Sequence, residues 1–502
     1  MTGATYSTGH YTLYQETKDK NLFEEIVDQM IIDQVPGMND SFREKISSLD
    51  RDKKRMAILS LLDKDRNLFL KIKALINKDI NKMDHIKDVI TMLREYVKVG
   101  EVEKKKFGEV MTPLELVKDM LSTLPEEVWS NPYLKWLDPA NGTGPYPIMV
   151  IYKLMVGLKD WEFDDEKRYR HIVENMIYVS ELQPKNMFLY MCVVDPFDTY
   201  RLNIYTGSFL EKGFDYHMKN VWNIENFDIV IGNPPYNTGT SGGNGNRDLW
   251  DKFVIKSLDN IKNDGYLNFI HPPKWRKPEN NLYKKFQNNN LIYLEIHSCD
   301  DGKKVFSANT RYDWYLLQKS KYSGSTEIKD ENGIINKIDI KKWIFIPNYN
   351  FSKFLKIISN DDDDDDDRLN ILYSSSIYEP RKKYMSIVSN EEFTYPCVYG
   401  MYKNGSCSYY YSSENKGHIG NSKVILGLGR HLYPLIDFNG EYGMTQNSFA
   451  ILINNENEGE NIKNAINSES FKEILKSSKW GNFQVDYKMF KYFKKDFWKE
   501  FI

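Results

Sequence analysis

Residues Asn233-Pro234-Pro235-Tyr236 follow directly on a short apolar run, Phe227-Asp228-Ile229-Val230-Ile231-Gly232. Two successive prolines fix φ and donate no backbone hydrogen bond. The residue before each proline is pushed out of the helical region. The turn is therefore stiff and extended, with its carbonyls free to accept. Asn233 adds a side-chain carbonyl and Tyr236 a flat face. A planar group carrying an exocyclic NH2 suits such a turn, because the NH2 donates to two carbonyls while the ring lies on the tyrosine. An ordinary proline-rich loop is the competing interpretation, and a second signal upstream argues against it.

That second signal is Trp136-Leu137-Asp138-Pro139-Ala140-Asn141-Gly142-Thr143-Gly144. A short strand ends in an acid, a glycine-rich turn follows, and an apolar helical stretch runs from Ile148 to Leu158. Gly142 and Gly144 permit positive φ and close backbone approach. Such a strand–turn–helix binds a nucleotide-like molecule at the switch point of a doubly wound sheet. The spacing is neither GxGxxG nor GxxxxGK[ST], so nothing here cradles a pyrophosphate or holds magnesium. A nucleoside-like cofactor without phosphates is expected.

Together the two turns resemble those of the S-adenosylmethionine-dependent, adenine-N6 DNA methyltransferases of the gamma motif order, the restriction–modification type. Phe107-Gly108-Glu109-Val110-Met111-Thr112-Pro113 matches that family's methionine-contacting segment. Asp138 to Gly144 match its glycine-rich turn, and Asn233 to Tyr236 its catalytic turn. Gly265 to Pro272 resemble its next strand. The resemblance covers roughly residues 105–320. It implies an adenine-specific, site-specific DNA methyltransferase (EC 2.1.1.72) with S-adenosyl-L-methionine as cofactor and double-stranded DNA as substrate. In that family Asn233, Pro234, Pro235 and Tyr236 would be catalytic. Thr112 and Pro113 would approach the methionine end of the cofactor, and Asp138 its amino group. Ala140, Gly142 and Gly144 would line its path, and Glu181 would accept from the ribose hydroxyls.

One departure stands out. The family usually has an acid before Phe-Leu in its next motif, whereas this chain reads Thr206-Gly207-Ser208-Phe209-Leu210. Ser208 hydrogen-bonds more weakly than a carboxylate, and Phe209 packs either on the cofactor ring or in the core. Phe306, in Val305-Phe306, resembles the late aromatic residue that holds the target base, with core packing as the alternative. The loop from Asn237 to Arg247 is glycine-rich, and Arg247 is a candidate phosphate contact.

These turns need a scaffold. Strand-like runs at Leu134–Leu137, Ile177–Ser180, Leu202–Tyr205, Phe227–Ile231, Tyr266–Ile270, Ile292–Ile296 and Trp314–Leu317 alternate with helical stretches, as in a doubly wound domain. The expected fold is α/β: a Rossmann-like, seven-stranded methyltransferase domain over residues 106–325. A helical N-terminal region over 1–105 precedes it, and a C-terminal α+β target-recognition region over 326–502 follows, assigned by position. Asp361 to Asp367 form an acidic run that reads as a solvated loop.

Composition agrees with this organisation. Of 502 residues, 41% are hydrophobic and 28% charged, as in soluble globular proteins, and the length allows two or three domains. No apolar run reaches 18 residues, so no membrane span is expected. The four cysteines lack metal-ligand spacing, so no metal site is expected. The first residues lack a secretory pattern, and a cytoplasmic enzyme of a bacterial or viral host is the expectation. Net charge is −3, so positive potential for DNA must be local. Residues 20–100 show no acid–acid–lysine set of nuclease type, so a fused restriction activity is not expected, and the sequence leaves open whether a separate cognate restriction endonuclease is a partner. The same fold acting on cytosine N4, RNA adenine or protein glutamine is the alternative, as is a DNA-binding subunit with a decayed site.

Overall fold

The protein, in a computed structural model, is described at residues 44–46, 48–62, 112–195, 199–237, 248–359, 367–429, 432–481 and 485–502. The expected helical N-terminal region therefore lies mostly outside the described residues. So do Phe107–Met111, Arg247 and all of the acidic run except Asp367.

A nine-stranded sheet carries the site. Its strands are β1 (Trp136–Asp138), β2 (Ile177–Glu181), β3 (Asn203–Thr206), β4 (Phe227–Gly232), β5 (Ile261–His271), β6 (Asn290–His297), β7 (Tyr312–Gln318), β8 (Thr326–Lys329) and β9 (Ile335–Ile338). Their order is β3-β2-β1-β4-β5-β7-β6-β8-β9. β1 to β5 are parallel neighbours, and β7 is antiparallel to both β5 and β6. The parallel strands are connected through helices Pro145–Gly157, Pro184–Val194, Lys212–Asn220 and Trp250–Asn260. Those helices cover both faces, so the central strands are continuous apolar runs rather than alternating ones. β1 is buried at all three positions and β2 at all five.

The seven expected strands are present, and two more extend the sheet. β8 runs parallel to β6, pairing Leu294 with Ile328, and β9 closes the edge antiparallel to β8. Ile328 is fully buried and the Thr326 hydroxyl donates to the Leu291 carbonyl at 2.7 Å, so β8 is tied to the core. β9 alternates exposed and half-buried positions, as suits an edge. The expected boundary at 325/326 falls just before β8, which belongs to this same sheet.

Chain order reverses between β1 and β4. From β1 the chain winds outward to β2 and β3, and it returns to place β4 on β1's other side. The ends of β1 and β4 thus meet at a topological switch point, where open α/β sheets bind ligands.

Beyond β9 lie two four-stranded sheets and the helices Glu456–Asn467 and Glu469–Ser477. Their apolar residues merge with one face of the large sheet: Leu267, Phe269 and Tyr315 share a cluster with Val424, Phe449 and Trp480. Arg276, in a fully buried ion pair with Asp313 of β7, ties the two together. Arg276 Nε donates to Asp313 Oδ2 at 2.7 Å, Nη1 to the Ile346 carbonyl at 2.8 Å and Nη2 to Asn348 Oδ1 at 2.9 Å. Asn348 Nδ2 donates in turn to the Lys479 carbonyl. On the opposite face, helix Arg51–Leu62 seats Ile58 in the core, and Arg55 donates to the carbonyls of Met191 and Asp195.

Candidate active site

At the end of β1 the chain turns sharply, and Asp138 is 2% exposed. Its Oδ1 accepts from the Ala140 N–H at 3.0 Å, while Oδ2 is buried with no hydrogen-bond partner. Burial pushes the carboxyl up to about 8, against the Ala140 hydrogen bond and with the nearby Glu181 adding to the rise. A buried acceptor left unsatisfied costs free energy until a donor arrives. Directly across, Gly232 ends β4 at φ +148°, and a Cβ there would come within 2.8 Å of Asp138 Oδ1. Only glycine leaves this carboxylate room.

The glycine-rich turn is held from below. The Asn141 N–H donates to the Ser180 carbonyl, and the Gly142 N–H donates to Glu181 Oε2 at 2.7 Å. Gly144 starts helix Pro145–Gly157 at φ +93°, and a Cβ there would overlap Tyr190 Cδ2 at 2.3 Å. The turn passes under a tyrosine ring because it carries no side chain at this point. Thr143 Oγ1 and Asn141 Oδ1 are further buried atoms with no hydrogen-bond partner.

Glu181 ends β2 and is 6% exposed. Its Oε1 accepts from the Gln183 N–H at 2.7 Å, so both oxygens are engaged by backbone donors. Burial raises its carboxyl, and those donors oppose the rise. Ser208 lies in the turn after β3, where its hydroxyl accepts from the Leu210 N–H at 3.2 Å. Phe209 is 1% exposed and packs on Phe214 and Phe253 at 4.9 and 5.6 Å, a core environment.

The Asn233-Pro234-Pro235-Tyr236 turn leaves the end of β4 beside Asp138. Asn233 Nδ2 donates to Thr112 Oγ1 at 3.0 Å. Thr112, just ahead of helix Leu114–Ser122, is buried, whereas Pro113 is exposed and caps that helix. The Thr112 hydroxyl also faces Tyr146, whose phenol burial raises well above its ordinary value. Thr112 thus grips the asparagine amide, a contact that no local spacing announces. Pro234 is buried and Pro235 half-buried. Tyr236 is 8% exposed and its hydroxyl is buried with no hydrogen-bond partner. The Tyr236 carbonyl accepts from the Leu249 N–H at 3.0 Å.

His271, at the end of β5, is a prop. Burial holds it near 3, so it stays neutral. Its two nitrogens engage the Pro272 carbonyl and the Tyr315 hydroxyl, and its ring stacks on Trp250 at 4.4 Å. Phe306 closes helix Cys299–Phe306 and sets its ring edge-on to Tyr312 at 4.9 Å. Tyr146 and Tyr312 lie near Tyr236 and carry no motif signal, whereas Gly232 stands next to Asn233 in the sequence.

The structure thus brings Asp138, Gly142, Gly144, Glu181, Thr112 and Asn233 to one edge of the sheet, with Phe209 turned into the core. S-adenosylmethionine fits this edge: an amino group would satisfy the orphaned Asp138 oxygen, and the side-chain-free turn admits a nucleoside.

Residues 203–306 match the family model of the Eco57I restriction-modification methylases. The chain is similar to an uncharacterized adenine-specific methylase of Mycoplasma pneumoniae, 26% identical over 310 residues, taking in 47% of this chain and 73% of that protein. Among solved structures it is similar to a modification subunit of a putative type I restriction enzyme from Vibrio vulnificus (TM-score 0.34, 14% identity, 49% of this chain) and spans 50% of that subunit. It is also similar to DrdV in complex with DNA (TM-score 0.48, 11% identity, 95% of this chain and 64% of that one).

Proposed function

We infer that this chain is an S-adenosylmethionine-dependent DNA adenine methyltransferase of the restriction–modification kind, adenine-specific (EC 2.1.1.72), acting on a base flipped out of double-stranded DNA. The observation that carries the reading is the Thr112–Asn233 hydrogen bond. It turns the amide so that its carbonyl, rather than its NH2, is the group offered at the site.

S-adenosylmethionine supplies an electrophilic methyl group when bound. The chain's own residues do the rest by position and electrostatics. Asp138 takes the cofactor's ammonium, and Glu181 its ribose. The glycine-rich turn and Thr112–Pro113 shape its path. Asn233 Oδ1 and the Pro234 carbonyl accept from the adenine NH2. Two acceptors hold that nitrogen pyramidal and stabilise the positive charge that grows on it. Pro235 keeps the turn rigid and Tyr236 stacks on the ring, worth about 1–3 kcal/mol per base. This offsets part of the few kcal/mol needed to unstack the base. Phe306 bounds the pocket from the side, Arg247 contacts phosphate, and residues 326–502 read the target sequence. A separate endonuclease cleaves unmethylated sites.

Expression in cells lacking adenine methylation, followed by sequencing of their DNA for N6-methyladenine, tests this. The expected outcome is methylation confined to one motif. Protein that binds S-adenosylmethionine yet modifies no DNA base would overturn the DNA reading in favour of RNA or protein amides.

A further inference from the structure

Phe306 is 4% exposed and packs edge-on against Tyr312, and that contact has an electrostatic prop. His297, the last residue of β6, lies flat on Tyr312, with ring centroids 4.3 Å apart and planes within 7°. Both side chains donate to one oxygen: Tyr312 Oη is 2.5 Å and His297 Nδ1 2.7 Å from Asp301 Oδ2. Asp301 sits in the first turn of helix Cys299–Phe306, where its N–H donates to the cap Ser298 Oγ. These two donors hold the carboxyl down at about 2, so it is ionised throughout the working range.

The helix has little freedom to drift from this anchor. A Cβ at Gly302 would come within 1.9 Å of the Thr310 carbonyl, so the helix lies tight against the loop that leads into β7. Ser307 stops the helix at φ +54°, immediately after Phe306. The Nε2 edge of His297 lies 3.4 Å from Glu295 Oε1, which also takes Lys329 Nζ at 2.9 Å. One carboxylate therefore joins β6, the helix and β7 at the point where Phe306 contacts Tyr312. Tyr312 lies in turn within electrostatic range of the Tyr236 hydroxyl.

We propose that Asp301 is a positioning residue for methyl transfer: by accepting from both His297 and Tyr312 it fixes the Tyr312 ring against which Phe306 is set, and so fixes the side wall of the target-base pocket. The inference rests on the functional reading above. Asp301 touches neither adenine nor cofactor. It acts through Tyr312 and Phe306.

The test is a double-mutant cycle on transfer of tritiated methyl from S-adenosylmethionine to unmethylated plasmid DNA carrying the chain's motif. Asp301→Ala is expected to slow transfer about ten- to a hundredfold, since misplacement by an ångström costs that much. Affinity for S-adenosylmethionine should stay within about twofold. Asp301→Asn keeps an acceptor for Tyr312 and should recover part of the rate. Phe306→Ala should slow the wild type yet cost little further in the Asp301→Ala background, because residues acting as one unit are non-additive. Additive losses, or full transfer by Asp301→Ala, would overturn the inference. If Asp301→Ala loses cofactor binding and so reports only misfolding, Tyr312→Phe removes one hydroxyl and takes its place in the cycle, where additive losses with Phe306→Ala again overturn the inference. A wild-type chain that binds cofactor and methylates no DNA overturns the functional reading itself, and this inference with it. An active wild type with additive losses overturns this inference alone.

Discussion

Asn233 Nδ2 donates to Thr112 Oγ1 across 3.0 Å, although 121 positions separate the two residues in the chain. The hydrogen bond decides which end of the amide is presented to a substrate. An asparagine without this grip rotates between donor and acceptor faces, and only the acceptor face can receive from an adenine NH2. Thr112→Ala should therefore slow transfer about fivefold, the worth of one hydrogen bond of about 1 kcal/mol. Thr112→Ser, which keeps the hydroxyl, should stay near the wild-type rate. Steady-state kcat on plasmid DNA checks both.

Replacing the grip residues themselves separates binding from chemistry. Asn233→Ala and Tyr236→Ala should leave S-adenosylmethionine affinity within about threefold while transfer falls by about two orders of magnitude or more. Equilibrium dialysis with labelled cofactor, read beside the transfer rate, gives the comparison. Equal loss of both would sink the assigned roles.

Asp138 predicts a pH dependence. Its carboxyl ionises near 3.8 in the unfolded chain and at about 8 in the folded one, because burial penalises the charge. Between those values the folded chain holds a proton that the unfolded chain has released, so this residue's contribution to stability falls as pH rises from about 4 to about 8. A cationic amino group beside the carboxylate removes the penalty. Thermal stabilisation by S-adenosylmethionine should therefore grow with pH across that window. Asp138→Asn should flatten the trend and weaken binding. Melting temperatures of both chains at pH 5 to 9, with and without cofactor, would show it.

The two glycines of the first turn should respond unequally to alanine. Gly142→Ala meets nothing within 4 Å and strains only φ, whereas Gly144→Ala drives a Cβ to 2.3 Å from the Tyr190 ring. Gly144→Ala should lower the melting temperature well beyond the roughly 1 kcal/mol that positive φ alone costs. The difference between the two variants measures the tyrosine overlap.

Arg276→Met leaves the Asp313 carboxyl buried and its partners unmatched. Breaking a buried pair from one side costs about 3–5 kcal/mol. Because Arg276 also binds Ile346 and Asn348, the loss should loosen residues 340–480 from the large sheet. Denaturant unfolding should show the lower stability, and limited proteolysis should cut between the sheet and the C-terminal region sooner than in the wild type.

The chain's local chemistry was legible in the sequence. Strands such as Phe227–Gly232 are apolar on both faces because helices cover both faces, so continuous runs betray them. The two turns are legible because proline and glycine carry their backbone geometry with them. That the turns converge at one edge followed only by resemblance, since spacing along the chain says nothing of distance in space.

Tertiary structure decided the partners. β8 and β9 are short and one is half-exposed, so they lack the apolar run that marks a central strand, and the sheet grew from seven expected strands to nine. Phe209 read equally as a cofactor platform or as core, and the aromatic side chains of Phe214 and Phe253 draw it inward. Thr112 on Asn233, Glu181 on Gly142, and Asp301 on both His297 and Tyr312 are contacts between residues that different elements deliver to one place. Residue types dictate what each position can donate, accept or stack upon. Which residue it meets depends on strand order at the switch point, and that order is set by how the helices and the C-terminal region bury the sheet.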